Sequence, residues 1–316
     1  MEGINNLGAT CAINSFIQLI CRCNYLRDMI LKLEIDNNSF TGELKEILDL
    51  MYNQNKSLNP NKFINAFYKT FQGIFNPFEQ IDINELLFYI YSKINDETSI
   101  IINKSNENIR NIHEEHDNKI AIYNNYKISN ISSLVQGSYI NIIVCSNCSN
   151  KSYSFEPFIN ITLDIIENNS IADLLISSMN EEYREKDDWK CDKCNIKCSY
   201  IKTKKLWKMP KTLFITLNRF KDYNKKNLSQ IYINDSLNFN SGSIMSNNRS
   251  YKYELSGISL HYGSLSGGHY TAICNVENEY YLYDDINVSK IRKESLTNPI
   301  NNSSVYLLLY NHHDEN

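Results

Sequence analysis

The order in which hydrophobic patterns change along the 316 residues predicts an α+β fold. Helical periodicity fills the first third, strand-like runs dominate from Val135, and helical spacing returns only briefly around Ile171. Helices and strands segregated in this way read as α+β. Hydrophobic residues make up 42% of the chain and charged residues 22%, enough apolar material for one large core or two smaller ones. The net charge of -4 gives no electrostatic reason to expect nucleic acid. No run approaches the roughly eighteen apolar residues that a membrane span requires.

The chain opens MEGINNLGATCAINSFIQLI, a turn-rich stretch with Gly3, Asn5, Asn6 and Gly8, then Cys11. Ile13, Phe16, Ile17 and Ile20 follow at helical spacing, which predicts a helix starting near Cys11 and running to about Leu26. A thiol at a helix N-terminus meets unpaired N–H groups and the positive end of the dipole, both of which lower its pKa. Asn6 stands in the turn just upstream, where its amide can donate to a developing oxyanion. The alternative is a buried cysteine with a packing role.

A second helix is predicted over Gly42 to Met51, with Leu44, Ile47, Leu48 and Met51 on one face. A third follows Pro60 through Phe63, Ile64, Phe67 and Phe71. Next, Asp82 and Glu85 have capping-box spacing ahead of a helix whose apolar surface comes from Leu86, Phe88, Tyr89 and Ile90. From Ile100 to Ser133 no period is sustained, and the segment reads as a solvated connection or short helix. His113 and His116 lie there in an HEEH run that lacks the zincin order.

Beyond Val135, two β-rich runs flank Cys145 and Cys148, and a second CxxC pair follows at Cys191 and Cys194. Two separated knuckles supply the four thiolates of a tetrahedral structural zinc site. Surface thiol pairs or a redox CxxC are the alternatives, although the latter needs only one pair at a helix N-terminus. Cys198 is a fifth thiol nearby and is left out of the ligand set on spacing. Nine cysteines, two CxxC pairs and no secretory pattern at the N-terminus favour reduced over disulfide-bonded cysteines.

A turn at Pro210 leads to a buried strand through Leu213, Ile215 and Leu217, and the polar run from Lys221 to Gln230 reads as a loop. The last third alternates strand, glycine loop, strand, turn at Asn278, strand. His269 follows Gly267 and Gly268 at a strand start, while Asp284 and Asp285 close the next strand. Neighbouring antiparallel strands bring such an imidazole and carboxylate together, as orientation of a general base requires. A core histidine is the alternative.

The opening stretch resembles the cysteine box of the ubiquitin-specific proteases, papain-like deubiquitinating enzymes, at Gly3, Asn6, Leu7, Gly8, Thr10, Cys11, Asn14, Ser15 and Gln18. Ala12 departs from the aromatic residue common there. QIDINELL resembles the family's glutamine-aspartate box, with Ile81 replacing a polar residue, and GGHYTA with YLYDDINV resembles its histidine box. Leu217, Arg219 and Phe220 match a family strand ending, and SSVYLLLY resembles the final core strand. Tyr281 stands where many members carry tryptophan.

The resemblance implies one catalytic domain over residues 1–316: a helical thumb (about 1–130), zinc-bearing β-rich fingers (about 134–210, with possible later strands) and a sheet-based palm (about 211–311). That coverage leaves little room for a separate domain. It implies a thiol-dependent hydrolase that cleaves the (iso)peptide bond after the C-terminal glycine of ubiquitin. In that chemistry Cys11 is the nucleophile, His269 the base, Asp284 its orienting carboxylate, Asp285 a second acid beside the site, and Asn6 an oxyanion donor. Gln80, Asp82, Glu85, His261, Gly268 and Tyr270 belong to the substrate channel, with Asp82 and Glu85 facing the basic C-terminal segment of ubiquitin. Many members carry zinc in the fingers and others have lost it, so Cys145, Cys148, Cys191 and Cys194 themselves carry the zinc expectation. No metal or organic cofactor is expected in the chemistry. The partners expected are ubiquitin and ubiquitinated proteins, with no nucleic acid and no membrane span, and the protein is expected to be a monomer inside the cell, cytoplasmic and/or nuclear. Two other readings stay open: a catalytically silent ubiquitin-binding scaffold, and an enzyme for another modifier ending in a glycine pair.

Overall fold

The computed structural model describes residues 2–54, 60–103, 110–179, 181–184, 189–220, 225–240, 243–247, 249–264, 267–297 and 299–313. It has an α+β, papain-like architecture. The first helix, α1 (Cys11–Arg22), is buried along nearly its whole surface, from Cys11 to Cys21. It ends earlier than its periodicity predicts: Cys23 takes an extended conformation and α2 (Asn24–Leu31) restarts beyond it. The Cys23 thiol reaches Asn311 Oδ1 at 3.1 Å, so the break is anchored to the far end of the chain.

Helix α3 (Phe40–Asp49) begins ahead of the predicted Gly42 because the Ser39 hydroxyl accepts the Gly42 N–H at 3.0 Å and caps it. Helix α4 (Asn61–Thr70) buries Phe63, Ile64 and Phe67, as its spacing requires. Helix α5 (Ile83–Thr98) is capped by Asp82, whose carboxylate accepts the N–H groups of Asn84 and Glu85. Phe88, expected on the apolar face, is 45% exposed, while Leu87 is buried in its place.

The segment without a period contains β1 (Ile100–Ile101), α6 (Ile112–Tyr123), β2 (Lys127–Ile128) and α7 (Asn130–Val135), and its residues 104–109 lie outside the described residues. His116 of the HEEH run is buried against Phe155 and Trp207 with its Nε2 2.9 Å from the Ser138 hydroxyl, a packing residue. Helix α6 is the short helix allowed for this segment, and its period is weak because His116 is its only buried residue.

Strands follow: β3 (Gly137–Cys145), β4 (Lys151–Phe158), β5 (Asn160–Asp164), then α8 (Ile171–Ser177), β6 (Glu181–Arg184), β7 (Tyr200–Lys208), β8 (Thr212–Asn218), β9 (Ser236–Phe239), β10 (Tyr251–Ser264), β11 (Gly267–Val276), β12 (Glu279–Asp284), β13 (Asn287–Ile291), α9 (Pro299–Ser304) and β14 (Val305–His312). Among the described residues they form a four-stranded sheet, β4-β3-β7-β6, and an eight-stranded sheet along β13-β12-β11-β10-β14-β8-β5 with β9 beside β10. Of the predicted polar loop at Lys221 to Gln230, residues 221–224 lie outside the described residues.

Alternation explains the apolar runs of the large sheet. Phe214, Tyr270, Ala272, Cys274, Leu307 and Leu309 face one core with α1 and the helices. Leu213, Ile215, Leu217, Ile273, Leu308 and Tyr310 face a second core, covered by Ile171, Leu174 and Leu175 of α8. A sheet covered on both faces needs near-continuous hydrophobic strands. Ser15 of α1 bonds the Ser259 hydroxyl at 2.8 Å and the Thr271 carbonyl at 3.2 Å, tying the helix to β10 and β11. No helix among the described residues is long and apolar enough to cross a membrane.

Arg219, fully buried at the end of β8, donates to the carbonyls of Val305, Asn302, Asn227 and Ser229. It thereby fixes the return of the polar loop against the start of β14. Arg219→Met keeps much of the volume and removes every donor, so unfolding free energy should fall by about 3 kcal/mol, the scale of two lost charge-assisted bonds. Urea denaturation of both proteins reads this directly. A loss below about 1 kcal/mol would show that the carbonyls find other partners.

Candidate active site

Cys11 is the first residue of α1 and is 2% exposed. The turn before it is built on the Asn6 side-chain oxygen, which accepts from the N–H groups of Gly8 at 3.0 Å and Thr10 at 3.2 Å. Gly8 has φ +97°, a conformation side chains disfavour, and this lets the chain fold back on Asn6. With its oxygen held, Asn6 points its amide at Asp285 Oδ2, 2.9 Å away. The other oxygen of Asp285 accepts from Asn14 Nδ2 at 2.7 Å, and the Asp285 carbonyl accepts the Ile4 N–H at 2.9 Å. Gln18 donates to the Glu2 carbonyl at 2.9 Å. Asn14 and Gln18 therefore hold the N-terminal segment in place.

The helix start does not give Cys11 the lowered pKa expected from the sequence. Burial pushes the thiol above its ordinary value and nearby Asp285 adds to this, against lowering by the main chain at Tyr270, Ala12 and Cys11. Desolvation of a thiolate outweighs a few N–H groups at so closed a position. Burial therefore disfavours the thiolate in the free protein.

The hairpin of β11 and β12 turns at Glu277 and Asn278, both with positive φ, as a tight two-residue connection requires. It brings His269 Nε2 to 2.6 Å from Asp284 Oδ1. Asp285 lies one residue further on with φ +51°, so its side chain departs toward Asn6 and Asn14 instead of following Asp284. One nitrogen or oxygen of His269, Asp284 and Asp285 all lie within 4.8 Å of one another. Tyr270, next after His269, lies in the same buried core as Cys11, and its main chain acts to lower the thiol pKa. The cysteine turn, the histidine and both acids thus converge.

A groove of about 190 Å³ includes Gly268 and Tyr270, the residues on either side of His269, and is lined by all six predicted channel residues, Gln80, Asp82, Glu85, His261, Gly268 and Tyr270. Ile81, Phe220, Ser264 and Gly267 complete it, and of these Ser264 carried no signal of its own in the sequence. Asp82 is already engaged, as cap of α5 and as acceptor of the Tyr306 hydroxyl at 2.6 Å, whereas Glu85 is exposed. On the facing wall, burial together with the charges of Lys226 and His269 pushes His261 down to about 4, leaving it neutral at physiological pH. The Lys226 ammonium donates to the His261 carbonyl and lies 3.2 Å from its Nδ1; burial beside Arg219 lowers it to about 8. Gly268 has no substitute here, because a Cβ would stand 2.3 Å from His261 Nε2. Lys226 was missed in the sequence because its run reads as generic loop.

At the tip of the small sheet, Cys145, Cys148, Cys191 and Cys194 bring their sulfurs within 4.8 Å of one another. Cys148 and Cys191 are 3.6 Å apart, Cys145 and Cys194 3.9 Å. Four thiolates bonded at about 2.3 Å around one centre stand about 3.8 Å apart, so this cluster is geometrically compatible with a structural zinc site. Cys198 packs on Cys145 at 3.3 Å but lies outside the mutually close set of four. The local cluster contains little besides these cysteines and Trp189.

A family model described as Ubiquitin carboxyl-terminal hydrolase matches residues 2–310. The chain is 27% identical over 331 residues to Ubiquitin carboxyl-terminal hydrolase Usp2 of Drosophila melanogaster, covering 98% of this chain and 34% of that protein. It is 25% identical over 339 residues to Ubiquitin carboxyl-terminal hydrolase 2 of Bos taurus, covering 98% and 55%. It therefore spans between about a third and just over half of these relatives. Among solved structures, a SAGA DUB module bound to monoubiquitin shares its fold, with TM-score 0.79, 21% identity and coverage of 100% and 70%. A SAGA DUB module bound to ubiquitin aldehyde gives 0.74 at 21% identity, with the same coverage.

The raised thiol pKa has a direct readout. In the free protein, alkylation of Cys11 by iodoacetamide, followed on its own peptide by mass spectrometry, should keep climbing with pH through the ordinary thiol value of 9.0. A plateau reached below neutrality would mean a standing thiolate–imidazolium pair instead.

Proposed function

The chain belongs to the ubiquitin carboxyl-terminal hydrolase family, and from that premise we propose that it is a cysteine-type deubiquitinase cleaving the (iso)peptide bond after the C-terminal glycine of ubiquitin. The observation that carries the proposal is the convergence of the Cys11 turn, through Asn6 and Asn14 on Asp285, with the bonded His269–Asp284 pair. With Nε2 of His269 bonded to Asp284, Nδ1 is the nitrogen that takes the Cys11 proton as the thiol attacks the glycine carbonyl. A buried neutral thiol makes this proton transfer part of the reaction, not a standing condition. The imidazolium then gives its proton to the departing lysine amine, and water releases ubiquitin from the thioester.

Asn6 has two amide hydrogens and Asp285 takes one, leaving the other for the oxyanion together with main-chain N–H groups. Asp285 is thus a positioning residue for Asn6, and with both oxygens engaged it does not stand in for Asp284. The basic tail of ubiquitin lies in the groove with Glu85 as its exposed carboxylate and Asp82 adding charge from a fixed position. Gln80, His261, Gly268 and Tyr270 complete its walls.

We read the helices up to about residue 130 as thumb, the small sheet as fingers and the large sheet as palm, in one domain that works as a monomer on ubiquitin and ubiquitinated proteins, in the cytoplasm and/or nucleus. Cys145, Cys148, Cys191 and Cys194 would hold a zinc ion whose contribution is structural, closing loops that have little apolar core.

Two measurements test the reading. Ubiquitin carrying a C-terminal electrophile should add covalently to Cys11 by mass spectrometry, and Cys11→Ala should abolish hydrolysis of a ubiquitin C-terminal amide while a titration still shows ubiquitin binding. Reversible binding without adduct would favour the silent scaffold, and turnover by the variant near wild type would remove Cys11 from the mechanism. Elemental analysis of protein purified without chelator should find zinc near one equivalent, reduced in Cys191→Ser and retained in Cys198→Ser. Full retention in Cys191→Ser would sink the four-ligand assignment.

A further inference from the structure

Phe78 breaks a local rule beside the reacting thiol. Residues 76–79 form a turn closed by the Glu79 N–H on the Asn76 carbonyl at 3.3 Å and by Asn76 Nδ2 on Glu79 Oε2 at 2.9 Å. Pro77 occupies its second position and Phe78 its third, with φ +68°. That pattern belongs to a type II turn, whose third position favours glycine or asparagine. A bulky residue in the left-handed region is strained, and departures of this kind concentrate where function requires them.

The strain gains no burial, since Phe78 is 78% exposed, among the most exposed large hydrophobic residues described. Its ring lies over Gly8, close enough that a Cβ there would stand 2.6 Å from the ring edge. Gly8 belongs to the turn that carries Asn6 and leads into Cys11. Phe78 is not among the residues lining the groove, although Gln80, Ile81 and Asp82 just beyond it are. The chain therefore leaves the groove wall at this turn and sets an aromatic face on the cysteine turn outside the groove.

Resting on the reading that Cys11 releases ubiquitin, we propose that Phe78 is a specificity residue for the leaving side of the bond, a platform for the lysine stem and adjoining residues of the conjugated protein. A substrate whose tail lies in the groove has its leaving group beyond the thiol, and Phe78 is assigned to that side because its ring stands on the turn leading into Cys11 and outside the groove. An isopeptide-linked lysine brings a chain of methylenes to that place, and such stems pack on apolar and aromatic faces. A ring used only to support Gly8 would have no reason to leave most of its surface in water.

The test compares two ubiquitin substrates: a C-terminal ethyl ester, whose leaving group ends after two carbons, and ubiquitin linked by isopeptide to a lysine within a peptide. Phe78→Gly suits the backbone of this turn and removes the ring, so misfolding does not confuse the result. Its ratio of kcat/KM for the conjugate over the ester should fall about tenfold from wild type, the low end of what one apolar contact surface discriminates. Phe78→Trp, which retains an aromatic face, should restore the ratio. An unchanged ratio in Phe78→Gly overturns the proposal, whether both rates fall together, as a purely structural role predicts, or neither moves. If wild type turns over neither substrate, the hydrolase reading itself fails, which separates that failure from this one.

Discussion

The carboxylate of Asp285 joins the two ends of the chain. Its oxygens accept from Asn6 and Asn14, and its carbonyl accepts the Ile4 N–H. Cys11 lies between Asn6 and Asn14, and Asp284, partner of His269, lies immediately before Asp285. One anionic hub therefore sets the thiol turn against the histidine hairpin. The left-handed conformation of Asp285 makes this possible, because it sends two consecutive acidic side chains to different partners.

Around that hub the packing is close. Helix α1 runs between the helical layer and the sheet, buried on nearly every side, and its polar residues Asn14, Ser15 and Gln18 have partners. Burial keeps the helix in place and also raises the pKa of the thiol at its tip. The same desolvation that makes the site rigid makes the proposed base necessary. On the groove side, the missing Cβ of Gly268 lets His261 approach β11, and burial keeps that imidazole neutral next to the Lys226 ammonium.

The small sheet depends on other physics. At its tip the packed cluster, among the described residues, is made of cysteines and Trp189. The spacing of four of the thiols is geometrically compatible with a structural zinc site, which would close such loops. Cys198 packs against this group without joining the mutually close four.

What could be read from the sequence alone had local periodicity or a local motif behind it. The apolar spacing of α3 and α4, the Asp82 cap, the apolar run of β8 and the paired CxxC knuckles all express rules that act within a few residues. The family boxes mark Cys11, His269, Asp284 and the groove residues by residue identity alone. Helix α6 left its bounds illegible because it buries little, so the segment reads only as a connection or short helix, and the end of α1 was misjudged because Cys23 is fixed by Asn311, far along the chain. Tertiary structure alone decided that Asp285 serves Asn6 and Asn14, that Asp82 is held by Tyr306, that Lys226 meets His261 and that the thiol is desolvated enough to stay protonated. Each of those depends on groups distant in sequence and on the exclusion of water between them, and neither is encoded in the spacing of neighbouring residues.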